Sequence, residues 1–143
     1  MGIIANPASG KDIRRLVAYG SAFDNQEKVR MVRRILLGLD AMGVDEVCYM
    51  PDYYGIVPKA LDRLDIKAPV MPLDFALKAD QRDSTAAAAI MEQRGARCII
   101  TLGGDGTNRV VAKGARKVPI LPISTGTNNV FSFMVEATIA GMA

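Results

Sequence analysis

Gly103-Gly104-Asp105-Gly106-Thr107 brings together the residue types that phosphate chemistry needs. The run follows a short apolar stretch, Cys98-Ile99-Ile100-Thr101-Leu102, and precedes Val110, Val111, Ala115 and Val118, which recur at roughly helical spacing. A strand therefore leads through two glycines and an acid into a helix. Such a corner lets backbone approach a phosphate closely, aims free N–H groups at it and leaves a carboxylate beside it. The same residues also fit a plainer part, a tight connection at Gly103 and Gly104 with Asp105 as helix N-cap. An Asp-Gly hairpin fits less well, because Thr107 to Ala112 does not alternate polar and apolar residues.

Two further loops carry similar chemistry: Asn6-Pro7-Ala8-Ser9-Gly10-Lys11 and Ser124-Thr125-Gly126-Thr127-Asn128-Asn129. Each follows an apolar run that reads as a strand. In a parallel sheet all three loops would open on one edge, where the carboxyl ends of the strands lie and where ligands of such sheets bind. Two standard nucleotide motifs fail on this chain. The P-loop needs a glycine where Ala5 stands and Ser or Thr where Asp12 stands, and the dinucleotide fingerprint begun at Gly104 meets Arg109 at its last glycine.

Composition narrows the remaining chemistry. The chain has no histidine, so Ser-His-Asp and Cys-His catalysis and His-ligated metals are excluded within it, and its two cysteines cannot build a structural zinc site. Any proton acceptor is then a carboxylate, lysine, tyrosine or thiol, with Asp105 the foremost candidate. A net charge of +3, scattered basic residues and the absence of tryptophan give no indication of nucleic acid as a partner. Cys48 and Cys98 lie in apolar runs and read as buried free thiols, as expected in a reducing cytoplasm. No basic-then-apolar leader opens the chain and no apolar stretch is long enough to span a bilayer, so the expectation is a cytoplasmic domain without a membrane partner.

At 143 residues, half of them hydrophobic, the chain has the size and composition of one globular domain. The order of elements predicts an α/β fold, a parallel sheet with helices on both faces. Gly2–Ala5 reads as a buried strand closed by Asn6-Pro7, and a brief helix follows through Ile13, Leu16 and Val17. Asp24 or Asn25 opens the best helix, with Val29, Val32, Ile35, Leu36, Leu39 and Met42 on one face and Gly43 as its stop. Val44 to Met50 reads as a strand, Ile56 to Leu64 as a helix and Pro69 to Leu73 as a short edge strand. Asp83-Ser84-Thr85 is expected to cap a helix through Arg94 that Gly95 stops. The strand Cys98 to Leu102, the glycine corner with its helix, and a last strand Pro119 to Ile123 complete the pattern.

With those three loops in that order, the chain resembles the superfamily of NAD kinases, diacylglycerol kinases and sphingosine kinases. Gly103 to Thr107 matches its signature in full. Asn6-Pro7 with Ser9-Gly10-Lys11 is similar to the Asn-Pro loop of its first strand, and Gly126-Thr127-Asn128-Asn129 to the Gly-Thr-Gly-Asn loop of the lipid branch, with Asn128 in place of glycine. The Asp-Ser-Thr at Asp83 and the residues around Asn128 resemble most the ATP-NAD kinase branch that includes acetoin-catabolism protein X.

The resemblance implies a two-domain enzyme, an α/β nucleotide-binding domain followed by an all-β domain with the active site between them, of which residues 1–143 are the first. It implies transfer of the ATP γ-phosphoryl to a hydroxyl, for an NAD kinase the 2′-hydroxyl of the adenosine ribose, with Mg²⁺ neutralising phosphate charge. Asp105 would take the hydroxyl proton or orient that hydroxyl. Gly103, Gly104, Gly106 and Thr107 would line the phosphates, Asn6, Ser9, Gly10 and Lys11 would hold those of the donor, and Gly126, Thr127, Asn128 and Asn129 would meet ribose, base or phosphate. Asn128-Asn129 stands where the main NAD-kinase branch has Asn-Glu. That departure leaves three readings open: an NAD kinase, a kinase of a lipid or other small hydroxyl compound, and a regulator that binds nucleotide without catalysis. A homo-oligomer is left open as well.

Overall fold

The computed structural model describes residues 1–9, 24–126 and 129–143. Five strands, β1 (Gly2–Ala5), β2 (Val47–Tyr49), β3 (Val70–Pro72), β4 (Ile99–Gly103) and β5 (Ile120–Ser124), form one sheet in the order β3-β2-β1-β4-β5, parallel at every pairing. Five helices are described: α1 (Asn25–Ala41), α2 (Ile56–Leu61), α3 (Gln81–Gln93), α4 (Asp105–Gly114) and α5 (Ala137–Met142). The α/β expectation with helices on both faces holds.

The apolar runs of β1 and β4 are buried throughout because both faces of the sheet are covered. Alternate residues divide between two cores. Ile3, Ala5, Ile100 and Leu102 pack with α1, α2 and α5, whereas Ile4 and Ile99 pack with Ala87, Ala88 and Met91 of α3 and Val111 of α4. Thr101 shares the second face and donates its hydroxyl to Asn108 Oδ1 of α4. On the first face α5 crosses α1 at glycines: a Cβ on Gly141 would lie 2.3 Å from the Ile35 carbonyl oxygen, and one on Gly38 2.7 Å from that of Thr138.

Sequence punctuation worked where glycine was the signal and failed where a polar residue had two jobs. Gly43 and Gly95 take left-handed φ values of +71° and +78° just past α1 and α3, as expected of stops. The third helix, however, is capped by Asp80, not by Asp83-Ser84-Thr85. Asp80 accepts from the Arg82 N–H while Asp83, one turn inside, reaches back to the Lys78 and Asp80 N–H groups. The second strand is shorter than Val44 to Met50, since Asp45 and Glu46 are exposed, and α2 ends at Leu61 rather than Leu64. Cys48 is buried and Cys98 half-buried just ahead of β4; both are free thiols whose pKa is raised, chiefly by burial. The helix expected through Ile13 to Val17 lies outside the described residues.

Candidate functional site

Strand order reverses between β1 and β4. The chain runs outward from β1 to β2 and β3, then returns to place β4 on the other side of β1. The loops that leave these two central strands must diverge, and the crevice between them is where ligands of open parallel sheets bind. Here that crevice opens into a cavity of about 710 Å³, within the range of small-molecule sites. Asn6 and Ser9 after β1, Gly104 to Thr107 after β4, and Asn129 after β5 all border it.

The three loops are bonded to one another. Asn6 Nδ2 donates to Thr107 Oγ1 at 2.9 Å, Ser9 Oγ lies 3.0 Å from Thr125 Oγ1, and Asn129 Oδ1 accepts from the Asp105 N–H at 3.4 Å. Asn6 Oδ1 also accepts from the Ala8 N–H, which closes the Asn-Pro turn on itself.

The glycines of the corner serve space rather than backbone freedom, since none takes a left-handed φ. Gly103 ends β4 under Thr107, whose side chain would sit 2.5 Å from an added Cβ. At Gly104 a Cβ would meet Asn129 Oδ1 at 2.8 Å, so this glycine admits a side chain of the protein itself. Gly106 differs: a Cβ there would meet nothing within 4 Å, on a residue that borders the cavity. Gly104 is the N-cap of α4 and Asp105 its first residue, so the plainer alternative of Asp105 as N-cap does not hold. The N–H groups of Gly106 and Thr107 have no acceptor among the described residues, and they belong to the helix end where partial positive charge gathers.

Asp105 spends its carboxylate on the loop after β5. Its Oδ2 accepts from the Val130 N–H at 2.8 Å, and its Oδ1 from those of Phe131 at 3.0 Å and Ser132 at 3.3 Å. These donors, Val130 first, hold its pKa below the ordinary aspartate value. Gly126 does not border the cavity; its carbonyl accepts from Ser124 Oγ and Asn129 Nδ2 and shapes the loop. Gly10, Lys11, Thr127 and Asn128 lie outside the described residues.

Several residues here escaped the sequence reading. Lys28 of α1 is wholly buried, and its Nζ donates to the carbonyls of Asn6 at 2.8 Å and Ser9 at 2.7 Å and to Asn25 Oδ1 at 3.0 Å. It lies 4, 7 and 11 residues before Val32, Ile35 and Leu39, so a lysine on the apolar helical face was the available signal. Met50, Pro51, Tyr53 and Leu77 give the lining a more apolar part, joined by Ala79, Asp80, Gln81, Asp83 and Ser84 around the start of α3. Arg109, one turn beyond Asp105, is the only cationic side chain that borders the cavity among the described residues.

Magnesium is the ion that the resemblance implies. Among the described residues no three carboxylates or thiols group as metal ligands. The four carboxylates on the cavity, those of Asp52, Asp80, Asp83 and Asp105, each accept backbone N–H groups. Among the described residues these carboxylates are committed to the backbone rather than grouped toward a cation.

Comparison with known proteins adds a relationship to this geometry. A family model described as the ATP-NAD kinase N-terminal domain matches residues 1–143. The chain is 40% identical over 150 residues to the acetoin catabolism protein X of Cupriavidus necator, an alignment that covers 100% of this chain and 42% of that protein. It thus spans less than half the length of that relative. Among solved structures, UDP-GlcNAc 2-epimerase from Neisseria meningitidis bound to UDP-GlcNAc matches with a TM-score of 0.48 at 15% identity, over 83% of this chain and 30% of the other.

Proposed function

The chain belongs to the ATP-NAD kinase family, and on that premise we propose that it is the nucleotide-binding part of an enzyme that transfers the γ-phosphoryl of ATP to a hydroxyl, with NAD as the acceptor. The observation that carries this reading is the meeting of three loops, from β1, β4 and β5, around one cavity at the point where strand order reverses. In the transfer, the bond from γ-phosphorus to the β–γ bridging oxygen breaks and one to the acceptor oxygen forms, releasing ADP. The protein has little covalent work to do there; positioning and charge stabilisation supply the rate.

Each part has a role under this reading. The unpartnered N–H groups of Gly106 and Thr107 face phosphate oxygens, and the bare Cα of Gly106 admits them. Arg109 supplies positive charge at the rim. Lys28 fixes the Asn6 to Ser9 turn from beneath. The apolar part at Met50, Tyr53 and Leu77 suits a nucleobase. Gly10, Lys11, Thr127 and Asn128 continue the same loops and are proposed to complete the phosphate and ribose contacts.

Val130, Phe131, Phe133 and Met134 are all more than half exposed beside this site, and a following all-β domain is proposed to cover them and close the acceptor side. Among the described residues no helix is long and apolar enough to cross a membrane, and the reading includes no membrane partner. The test is a thermal-shift and calorimetric screen of the full-length protein with MgATP, NAD, NADH, diacylglycerol and sphingosine. MgATP and NAD should each raise the melting temperature and together give ADP and NADP. A protein that ignores ATP would refute the reading, and a response to a lipid in place of NAD would move the acceptor.

A further inference from the structure

Asp52 follows β2, two strands away from the corner that opens α4. Neighbouring strands lie about 4.8 Å apart, so about 10 Å separates the ends of β2 and β4. All the strands point the same way, and residues after both ends border the one cavity. The chain that follows Asp52 fixes its carboxylate there. Its Oδ1 accepts from the N–H groups of Tyr54 and Gly55, both at 2.9 Å, and its Oδ2 from that of Ile56 at 3.0 Å. A carboxylate has about four lone-pair positions, and these bonds fill three of them. The fourth, on Oδ2, is left on a rigidly held group at the cavity.

The neighbours of Asp52 suit a nucleoside. Tyr54 is held from two sides, by Gln26 Nε2 at its hydroxyl and by Lys59 Nζ at 3.4 Å from its ring centre. Tyr53 instead borders the cavity and is 66% exposed, an aromatic face of the kind on which a base stacks. Acceptor and platform are thus adjacent residues, as sugar hydroxyl and base are adjacent groups of a nucleoside. Charge around the cavity divides in the same sense. The open N–H groups of Gly106 and Thr107 and the Arg109 side chain belong to α4, whereas Asp52, Asp80 and Asp83 come from the chain after β2 and β3. Of these three carboxylates only Asp80 has an ion pair among the described residues, with Arg82. A phosphate is drawn to the first group and repelled by the second.

In the transfer described above, the acceptor hydroxyl must meet the γ-phosphorus at the α4 corner, so a ribose two strands away belongs to the donor. We propose that Asp52 reads the ribose of the donor nucleotide: its remaining Oδ2 lone pair accepts a hydrogen bond from the 2′- or 3′-hydroxyl while Tyr53 carries the base. The donor is then a nucleoside triphosphate and not an inorganic polyphosphate, whose further phosphates would meet carboxylates where the nucleotide presents hydroxyls. A site built to bond a hydroxyl discriminates against the analogue that lacks it. The inference rests on the nucleotide reading and deepens it.

The experiment titrates the full-length protein by calorimetry with MgATP, magnesium 2′,3′-dideoxyATP and magnesium tripolyphosphate, unaltered and as Asp52→Asn and Asp52→Ser. Asn and Ser both support the turn that Asp52 makes with the backbone, Ser more weakly, and melting temperatures show whether each variant folds. The unaltered protein should bind MgATP about tenfold more tightly than the dideoxy analogue, the worth of one hydrogen bond to a charged group, and at least about tenfold more tightly than tripolyphosphate. Each variant should lose that tenfold for MgATP and keep its affinity for the dideoxy analogue within about twofold, because the hydroxyls and Asp52 act on each other.

An Asp52 that only shapes its loop predicts that the variants weaken both nucleotides alike. That result would overturn the proposal, as would equal affinity of the unaltered protein for MgATP and the dideoxy analogue, or tripolyphosphate bound as tightly as MgATP. If neither variant folds, the three ligands on the unaltered protein decide between the same outcomes. Should the unaltered protein bind neither nucleotide, the nucleotide reading falls and this inference with it; MgATP bound without regard to its hydroxyls removes the inference alone.

Discussion

Asn6 and Thr107, which both border the cavity, stand 101 residues apart in sequence and share a hydrogen bond of 2.9 Å, from Asn6 Nδ2 to Thr107 Oγ1. The bond joins the ends of the two central strands, so the loop after β1 and the first turn of α4 are held as one surface. Thr107 is buried and itself packs over Gly103. Replacing Thr107 by valine keeps the shape and removes the acceptor. The expected cost is about 1 kcal/mol in urea unfolding, with Thr107→Ser largely restoring the loss. Equal stability of the valine and wild-type proteins would show that the two loops are not coupled there.

Lys28 should matter more, because it is wholly buried with its ammonium on two carbonyls and an amide oxygen. Lys28→Met preserves the stem and leaves three acceptors facing a methyl group. We expect a loss of about 3 kcal/mol, read as a lower denaturation midpoint, together with weaker MgATP binding as the Asn6 to Ser9 turn loosens. A methionine variant as stable as wild type would mean that the cation contributes nothing net.

Acid should weaken the fold through carboxylates that staple loops. Glu92 at the end of α3 accepts from the N–H groups of Lys117, Val118 and Arg116 through one oxygen, and Asp105 accepts three more. These bonds lower both pKa values in the folded state, Lys117 and Val130 being the foremost donors. A group with a folded pKa below its unfolded value binds fewer protons when folded, so its stabilisation is complete above the ordinary carboxylate range, about pH 4, and is lost as pH falls through the folded value. Melting temperature should therefore be flat near neutrality and drop below about pH 4. Glu92→Gln should lower the neutral plateau and flatten that drop, and an unaltered acid limb would remove Glu92 from the cause.

The fold was legible wherever one residue did one job. Unbroken apolar runs gave β1 and β4, the 3.6-residue period gave α1, and Gly43 and Gly95 gave stops because only a left-handed φ ends those helices so tightly. The three loops were legible as chemistry by their residue types and by their places after strands. What was hidden depended on tertiary partners. The donors that occupy Asp105 lie 25 to 27 residues further along, the reason for Gly104 is a side chain from another loop, and the carbonyls that Lys28 meets belong to the loop after β1. Asp80 and Asp83 were confused because both carboxylates cap the same helix end, one from outside and one from within.

The central claim is that a nucleotide phosphate lies against the α4 corner, and Gly106 isolates it. An added side chain there meets no protein atom within 4 Å and no left-handed φ, so Gly106→Ala should leave the fold intact or stabilise it by about 0.5 kcal/mol. The same methyl group would stand where the phosphate approaches. The decisive measurement is MgATP titration calorimetry on the full-length Gly106→Ala protein, with its melting temperature recorded alongside. The account predicts an unchanged or higher melting temperature and MgATP affinity reduced at least about tenfold, equivalent to about 1.4 kcal/mol. Wild-type affinity in a normally folded variant would contradict it.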